Sequence, residues 1–366
     1  MEILSGLRVL TLEGPPIRRG RTHGLLLKAQ ILQAIERWKE DLKFTGVDVK
    51  EYPHEFVQET GMLAAVKRWT PDLLEEVTGI AEASGVDFDT LFTWNCTDED
   101  WWFRIFEKRI GMEKVWGCHC SALGCSRNGN LPTMVAQNLD LPNYYDGLQV
   151  LLHINGPDNP DCFVFTHAGI VGMAGMNKSL GVCVNTLIDL NHAKDGLSSN
   201  FIVRGILEQS TLDDAIKFLH SIRHASGQNY TVGDMNRVVD FECSGNKVSQ
   251  FIPYNGSQRV YHTNHSIVND DRRASIPQNY EELISRTRAR FGFLESELGD
   301  TSKPVTVEKI QSILGSHEIP LCHHNTHQSP GSCTAGSLIM VFSPDPELLF
   351  AMPPPCSSKY QKFNFH

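Results

Sequence analysis

Apolar side chains recur three and four residues apart from Gly24 to Trp38 and again from Pro71 to Ser84, the spacing that lines one face of an α-helix. Thr70 ahead of Pro71 supplies an N-cap and then proline at the first helical position, where its missing N–H goes unnoticed. The first third therefore reads as mostly helical. Past Trp116 the period shortens. Cys120–Ser126, Leu131–Leu139, Leu148–Ile154, Cys162–Thr166 and Gly181–Leu187 are short runs rich in strand formers, separated by Asn-Gly, Asn-Gly-Pro or glycine clusters.

Helical spacing returns over Phe201–Ile222, where Thr211-Leu-Asp-Asp marks a cap followed by an acidic first turn. Tyr230–Val232, Val238–Cys243, Lys247–Pro253 and Val260–His262 read as strands, Tyr280–Leu294 and Val307–Leu314 as helices. Ser337–Phe342 and Leu348–Met352 form a closing hairpin, and Cys356–His366 a short tail. Two blocks of antiparallel, hairpin-like strands with helices between them predict an α+β architecture of face-to-face sheets covered by helices.

Composition narrows the function. Of 366 residues, 41% are hydrophobic and 21% charged, an ordinary globular balance, and the net charge of −10 comes with no Lys/Arg run. Nucleic acid and membrane surfaces are thereby excluded as expected partners. Met1–Leu12 lacks the basic start and apolar run of a secretory signal, no stretch approaches the ~18 apolar residues of a membrane span, and ten scattered cysteines suit reduced thiols. A cytoplasmic protein is the expectation. No dinucleotide-type glycine loop or P-loop is present, so no cofactor is expected.

Chemistry concentrates in Trp116-Gly-Cys-His-Cys-Ser-Ala-Leu-Gly-Cys-Ser-Arg-Asn-Gly-Asn and the following Met134-Val-Ala-Gln-Asn-Leu-Asp-Leu. A nucleophilic thiol needs a base within reach. A chain cut just before a cysteine provides one, because the new α-amino group titrates near pH 8. Cys120-Ser-Ala-Leu-Gly-Cys125, Asn128-Gly129 and Gln137-Asn-Leu-Asp140 resemble the acyl-coenzyme A:6-aminopenicillanic-acid acyltransferase family, peptidase family C45. The resemblance runs along nearly the whole chain: Gly20-Arg-Thr-His-Gly24, Trp94-Asn-Cys-Thr-Asp-Glu99, Ala168–Asn177, Gly181-Val-Cys-Val-Asn185, Val239-Asp-Phe-Glu242 and His262-Thr-Asn-His265 follow in the family's order.

The resemblance implies an αββα N-terminal-nucleophile fold and self-cleavage between His119 and Cys120, giving a helical α chain, residues 1–119, and a β chain, residues 120–366. By position, Cys120 is the expected nucleophile and Asn264 the oxyanion-stabilising asparagine. Asp140 is the aspartate that positions the nucleophile and assists processing. The substrate implied is a small N-acyl amine, akin to a β-lactam precursor or a β-alanyl amide, or a thioester.

Two departures stand out. His119 precedes Cys120 where the family carries a small residue, and Gly117-Cys118 makes Cys118 a rival nucleophile. Where the family has Ile-Cys-Arg, this chain reads Leu321-Cys322-His323-His324, so His323 replaces a permanently charged arginine at the substrate side.

Plainer readings accompany these. Cys96, Cys162, Cys183 and Cys243 sit among apolar neighbours and read as core. Asp140 is equally placed to cap the turn into Leu141-Pro142, and Asn264 to bridge a turn between Tyr261 and Ile267. Asn177 reads as a turn residue. Asn185 suits either the substrate pocket or buried backbone pairing, His23 and Glu99 suit the helical layer, and Glu242 needs a buried partner. Alternatives of another class are a metal site, from Cys118, Cys120 and Cys125 or from Cys322, His323, His324 and His327, and an unprocessed, non-catalytic binding homologue.

Overall fold

The computed structural model describes every residue except 44, 109–119, 157–158, 275–278, 326–330 and 366. The chain opens on two short strands, β1 (Glu2–Leu4) and β2 (Leu7–Glu13), and then runs through seven helices. These are α1 (Pro16–Leu26), α2 (Lys28–Lys43), α3 (Tyr52–Glu59), α4 (Met62–Trp69), α5 (Pro71–Ser84), α6 (Phe88–Asn95) and α7 (Thr97–Trp102). Pro71 begins α5 as expected, and Gly85 ends it in the left-handed region at φ +78°.

The crossing of α1 on α5 explains the Gly20-Arg-Thr-His-Gly24 motif. A Cβ on Gly20 would stand 2.0 Å from the Glu76 carbonyl oxygen, so the two helix backbones meet where no side chain fits. His23, completely buried, accepts a hydrogen bond from Gly169 N at 3.0 Å and is neutral, because burial lowers its pKa to about 4.

The remaining strands are β3 (Ser121–Cys125), β4 (Thr133–Pro142), β5 (Gln149–Gly156), β6 (Asn159–His167), β7 (Ala174–Asn177), β8 (Gly181–Thr186), β9 (Gln228–Gly233), β10 (Val238–Cys243), β11 (Val248–Gln250), β12 (Arg259–His262), β13 (Ser332–Phe342), β14 (Glu347–Ala351) and β15 (Gln361–Asn364). Between them lie α8 (Ser199–Leu207), α9 (Leu212–Ser221), α10 (Tyr280–Leu298) and α11 (Val307–Leu314). Thr211 caps α9 by accepting from Asp214 N.

A nine-stranded sheet runs β1-β2-β5-β6-β7-β8-β9-β10-β11, and a six-stranded sheet runs β12-β3-β4-β13-β14-β15. Their inner faces share one core in which Ala122 and Val135 meet Val182 and Val232. One residue along each strand the direction reverses: Leu123 and Ala136 point outward to Leu294, Ile310 and Ile313 of α10 and α11. On the far side α8 covers β7 and β8. The order of layers is thus helix, sheet, sheet, helix, as the sequence predicts.

The first third is mostly helical, as expected, and also contributes β1 and β2 to the large sheet. Two expectations need correction. The β2–β5 pair is parallel, so the sheets are not wholly antiparallel. The supposed tail supplies β15, paired with β14. Short terminal strands carry too few alternations to be read from pattern; the pairing edge of the folded sheet gives them their conformation.

Candidate active site

Strand β3 starts one residue after Cys120. Ser121 pairs with Asn138 and Ala122 with Gln137, so Cys120 projects one step beyond the ladder toward Asp140. Its Sγ accepts from Asp140 N at 3.3 Å, and its thiol donates to Asp140 O at 3.6 Å. Cys120 is 2% exposed, and its carbonyl accepts from Arg290 Nη1 at 3.0 Å. His119 and Cys118, the expected cleavage residue and the rival candidate nucleophile, lie outside the described residues.

The Gln137-Asn-Leu-Asp140 motif divides its work by strand alternation. Gln137 reaches inward and exchanges both amide hydrogen bonds with the main chain of Val184, tying the two sheets together beside the site. Asn138 points outward and donates to the carbonyls of Leu314 and Leu321 at 2.7 and 2.8 Å, fixing the loop that leads to His323. Asp140 shares that outward face. Its Oδ1 accepts from Thr334 Oγ1 at 2.6 Å, and its Oδ2 lies 3.7 Å from His323 Nε2. Burial raises the Asp140 pKa against the opposing influence of His323, Thr334 and Arg290. Asp140 therefore meets the thiol through its main chain, while its carboxyl group organises the other side.

Asn264 follows β12. Its N–H donates to Thr287 Oγ1 at 2.7 Å, its Oδ1 accepts from Arg290 Nη2 at 3.1 Å, and its Nδ2 donates to the Thr186 carbonyl at 3.2 Å. Arginine only donates, so this bond dictates which end of the amide faces it and leaves a second Nδ2 hydrogen for another acceptor. Behind Asn264, Glu242 accepts from His262 Nε2 and from the N–H groups of Ile267, Val268 and Asn269. Burial opposes its ionisation, but these bonds outweigh it and lower its pKa, which supplies the buried partner that its strand position required.

Arg290 ties Cys120, Ser121 and Asn264 together, and the sequence reading passed over it. The signal was present: α10 buries Ile284, Thr287, Arg290, Leu294 and Leu298, so a guanidinium falls on the apolar stripe of an amphipathic helix. A positive charge therefore stands at Cys120, supplied by Arg290 of α10, while His323 lies beside Asp140.

Asn185, immediately before Thr186, is buried and accepts from Asn229 Nδ2 at 3.4 Å, while its own Nδ2 has no partner among the described residues. His323 is half-buried beside Asp140, with its ring also against the Pro320 carbonyl. Asn177 holds a turn by accepting from Ser179 N and Leu180 N. The thiols of Cys96, Cys162, Cys183 and Cys243 are buried, and desolvation raises the pKa of each. The proposed Cys120–Cys125 metal set fails on geometry. Five strand residues place the two thiols roughly 16 Å apart and on opposite faces, Cys120 in the inter-sheet core and Cys125 under the helices.

A buried cysteine at the edge of a two-sheet sandwich, joined through one arginine to a buried amide, defines a cysteine-centred α+β layered protein. The sequence model of the acyl-coenzyme A:6-aminopenicillanic acid acyl-transferase family matches residues 126–339, more than half of the chain and starting just after Cys120, and the chain belongs to that family. Protein dcd1B of Dictyostelium discoideum is 23% identical over 225 residues, covering 55% of this chain and 42% of its own length. The chain thus spans less than half of that relative. Among solved structures, it is similar to a Caenorhabditis elegans N-acylethanolamine-hydrolyzing acid amidase ortholog at 14% identity, covering 68% of this chain and 100% of that one, with a TM-score of 0.44. A mutant conjugated bile acid hydrolase from Clostridium perfringens is similar at 9% identity, covering 67% of this chain and 97% of that one, with a TM-score of 0.41.

Proposed function

We propose that the protein is a cysteine N-terminal-nucleophile amidohydrolase or acyltransferase that cuts itself between His119 and Cys120 and then acts on a small N-acyl amine or thioester. The observation that supports this reading is the Cys120–Arg290–Asn264 chain of contacts, in which one buried guanidinium binds both the Cys120 carbonyl and the Asn264 amide oxygen. In the cut protein the Cys120 α-amine takes the thiol proton, and the thiolate adds to the substrate carbonyl. Negative charge builds on the carbonyl oxygen, where the second Asn264 Nδ2 hydrogen stabilises it. The carbon–nitrogen bond then breaks, and the leaving amine takes the proton from the Cys120 ammonium. Water or a second amine, deprotonated by the same α-amine, displaces the thiolate and releases the acyl group. Asp140 holds Cys120 through its main chain, Arg290 orients Asn264, and Asn185 and His323 face the substrate.

The two chains stay together after cleavage. Glu76 of α5 receives Arg19 at 3.1 Å and Arg204 of α8 at 3.0 Å, all three side chains being buried, and Glu99 accepts from Ser198, Ser199 and Ser226. Strand β2 is also laced into the large sheet. An intact-mass spectrum tests the reading: two fragments meeting at His119–Cys120 are expected in the native protein, and a single full-length mass in Cys120→Ala. A cleaved or active Cys120→Ala protein, or loss of both properties in Cys118→Ala alone, overturns the assignment.

A further inference from the structure

Cys322 and His324 flank His323 in sequence. They meet His317 from the same loop and Cys356 from the segment before β15, and one ligand atom from each of the four lies within 4.8 Å of all the others. His324 Nε2 is 3.1 Å from His317 Nε2 and 3.2 Å from Cys356 Sγ. With Zn–N of about 2.0–2.1 Å and Zn–S of about 2.3 Å, a tetrahedral ion requires edges of roughly 3.3 Å between nitrogens and 3.6 Å between nitrogen and sulfur. These two separations reach those values by shifts of a few tenths of an ångström, and every other pair lies within 4.8 Å. A single ring nitrogen has one lone pair or one hydrogen, so hydrogen bonding alone satisfies this convergence poorly, whereas a cation satisfies every lone pair at once.

The supports are built in. Asn138 holds both ends of the loop through Leu314 O and Leu321 O, and Leu321 N and Cys322 N close on Ser316 O. Gly315 lies against the tail, its Cβ position 3.4 Å from Cys356 Cα, an ordinary packing contact. Pairing of β15 with β14 anchors the chain beyond Cys356. Two thiolates and two imidazoles are soft-to-borderline donors, which select zinc over calcium or magnesium.

We propose that His317, Cys322, His324 and Cys356 bind one zinc ion that clips the His323 loop to the C-terminal segment. The site is separate from Cys120 and includes neither His323 nor the Cys118–Cys120 pair. Its effect on the active site is one of position, because two ligands bracket the residue whose ring faces Asp140.

The test uses the full chain, reduced with a phosphine and dialysed against metal-free buffer. Elemental analysis is expected to find about one zinc per chain, and cobalt(II) titration to give the intense visible bands of a tetrahedral ion with thiolate charge transfer. Cys356→Ser and His317→Ala alter exposed side chains, and each is expected to weaken binding at least about a hundredfold, since even an outer partner of a ligand costs 10–100-fold. Cys120→Ala is expected to leave binding unchanged, which separates this site from the catalytic reading. Absence of retained zinc and of the cobalt spectrum overturns the proposal. So does binding indifferent to both ligand variants, or a Cys322–Cys356 disulfide in protein isolated without reductant.

Discussion

Replacing Arg290 by methionine tests how the site is held together, because it keeps most of the side-chain volume and removes the three donors. The hydrogen bonds lost are those to Cys120 O at 3.0 Å, Ser121 Oγ at 3.3 Å and Asn264 Oδ1 at 3.1 Å. The Ser121 hydroxyl is free to rotate to another partner. The other two acceptors belong to residues 2% and 8% exposed, so water replaces the guanidinium poorly. An unpaired buried acceptor costs roughly 1–3 kcal/mol, giving roughly 2–6 kcal/mol for the pair. With an unfolding entropy of about 2.1 cal/mol/K per residue, a 366-residue chain is expected to lose roughly 3–8 °C in Tm.

The kinetic effect has a separate origin. Without Arg290 only the Nδ2 bond to the Thr186 carbonyl still orients the Asn264 amide, and a flipped amide presents an acceptor to the developing oxyanion. Removing such a donor outright costs roughly 10²–10³ in kcat, and disorienting it is expected to cost about 10–100-fold, with KM little changed. The assays are calorimetry, hydrolysis of a panel of fluorogenic N-acyl aminocoumarins, and the rate at which two fragments appear. An Arg290→Met protein with wild-type Tm, kcat and processing would refute the reasoning.

Acid lability is a second expectation. His23, His224 and His265 are held at about 4 and His167 at about 3, chiefly by burial, against about 6.5 in an unfolded chain. The unfolded state therefore binds protons first. Stability contributed by these neutral rings is intact above pH 6.5 and lost as pH falls toward 4, by as much as about 5 kcal/mol per unit if all four act together. His262, whose pKa is raised by Glu242 and Asp240 despite burial, works in the opposite direction. Urea midpoints across pH 4–7 measure the balance, and a flat profile would contradict it. Glu76→Gln leaves two buried arginines short of their counter-charge and is expected to cost roughly 3–5 kcal/mol in denaturant melts; a loss below about 1 kcal/mol would show that the ion triad is dispensable. Since the Glu76 pKa is lowered by Arg204 and Arg19 despite burial, its contribution persists down to the ordinary carboxylate range and fades only below it. Asn185→Leu is expected to raise KM several-fold while leaving self-cleavage intact, and equal loss of both would make Asn185 a structural residue.

Local pattern carried the layer order. Val238–Cys243 and Val307–Leu314 match the observed elements end to end, because alternation and the 3.6-residue period are properties of a segment and its immediate neighbours. Short ordered motifs singled out Cys120, Asp140 and Asn264, and the fold brings Cys120 against Asp140 and links it to Asn264 through Arg290. Tertiary structure alone decided that β2 joins β5 in parallel, that Arg290 rather than a residue near Cys322 supplies the guanidinium at Cys120, and that Cys322 and His324 part company with His323 to meet Cys356. Each brings together residues widely separated in sequence, and such a contact depends on how layers stack and which helix face is buried. A linear pattern shows that a face is apolar; it does not show what that face will touch.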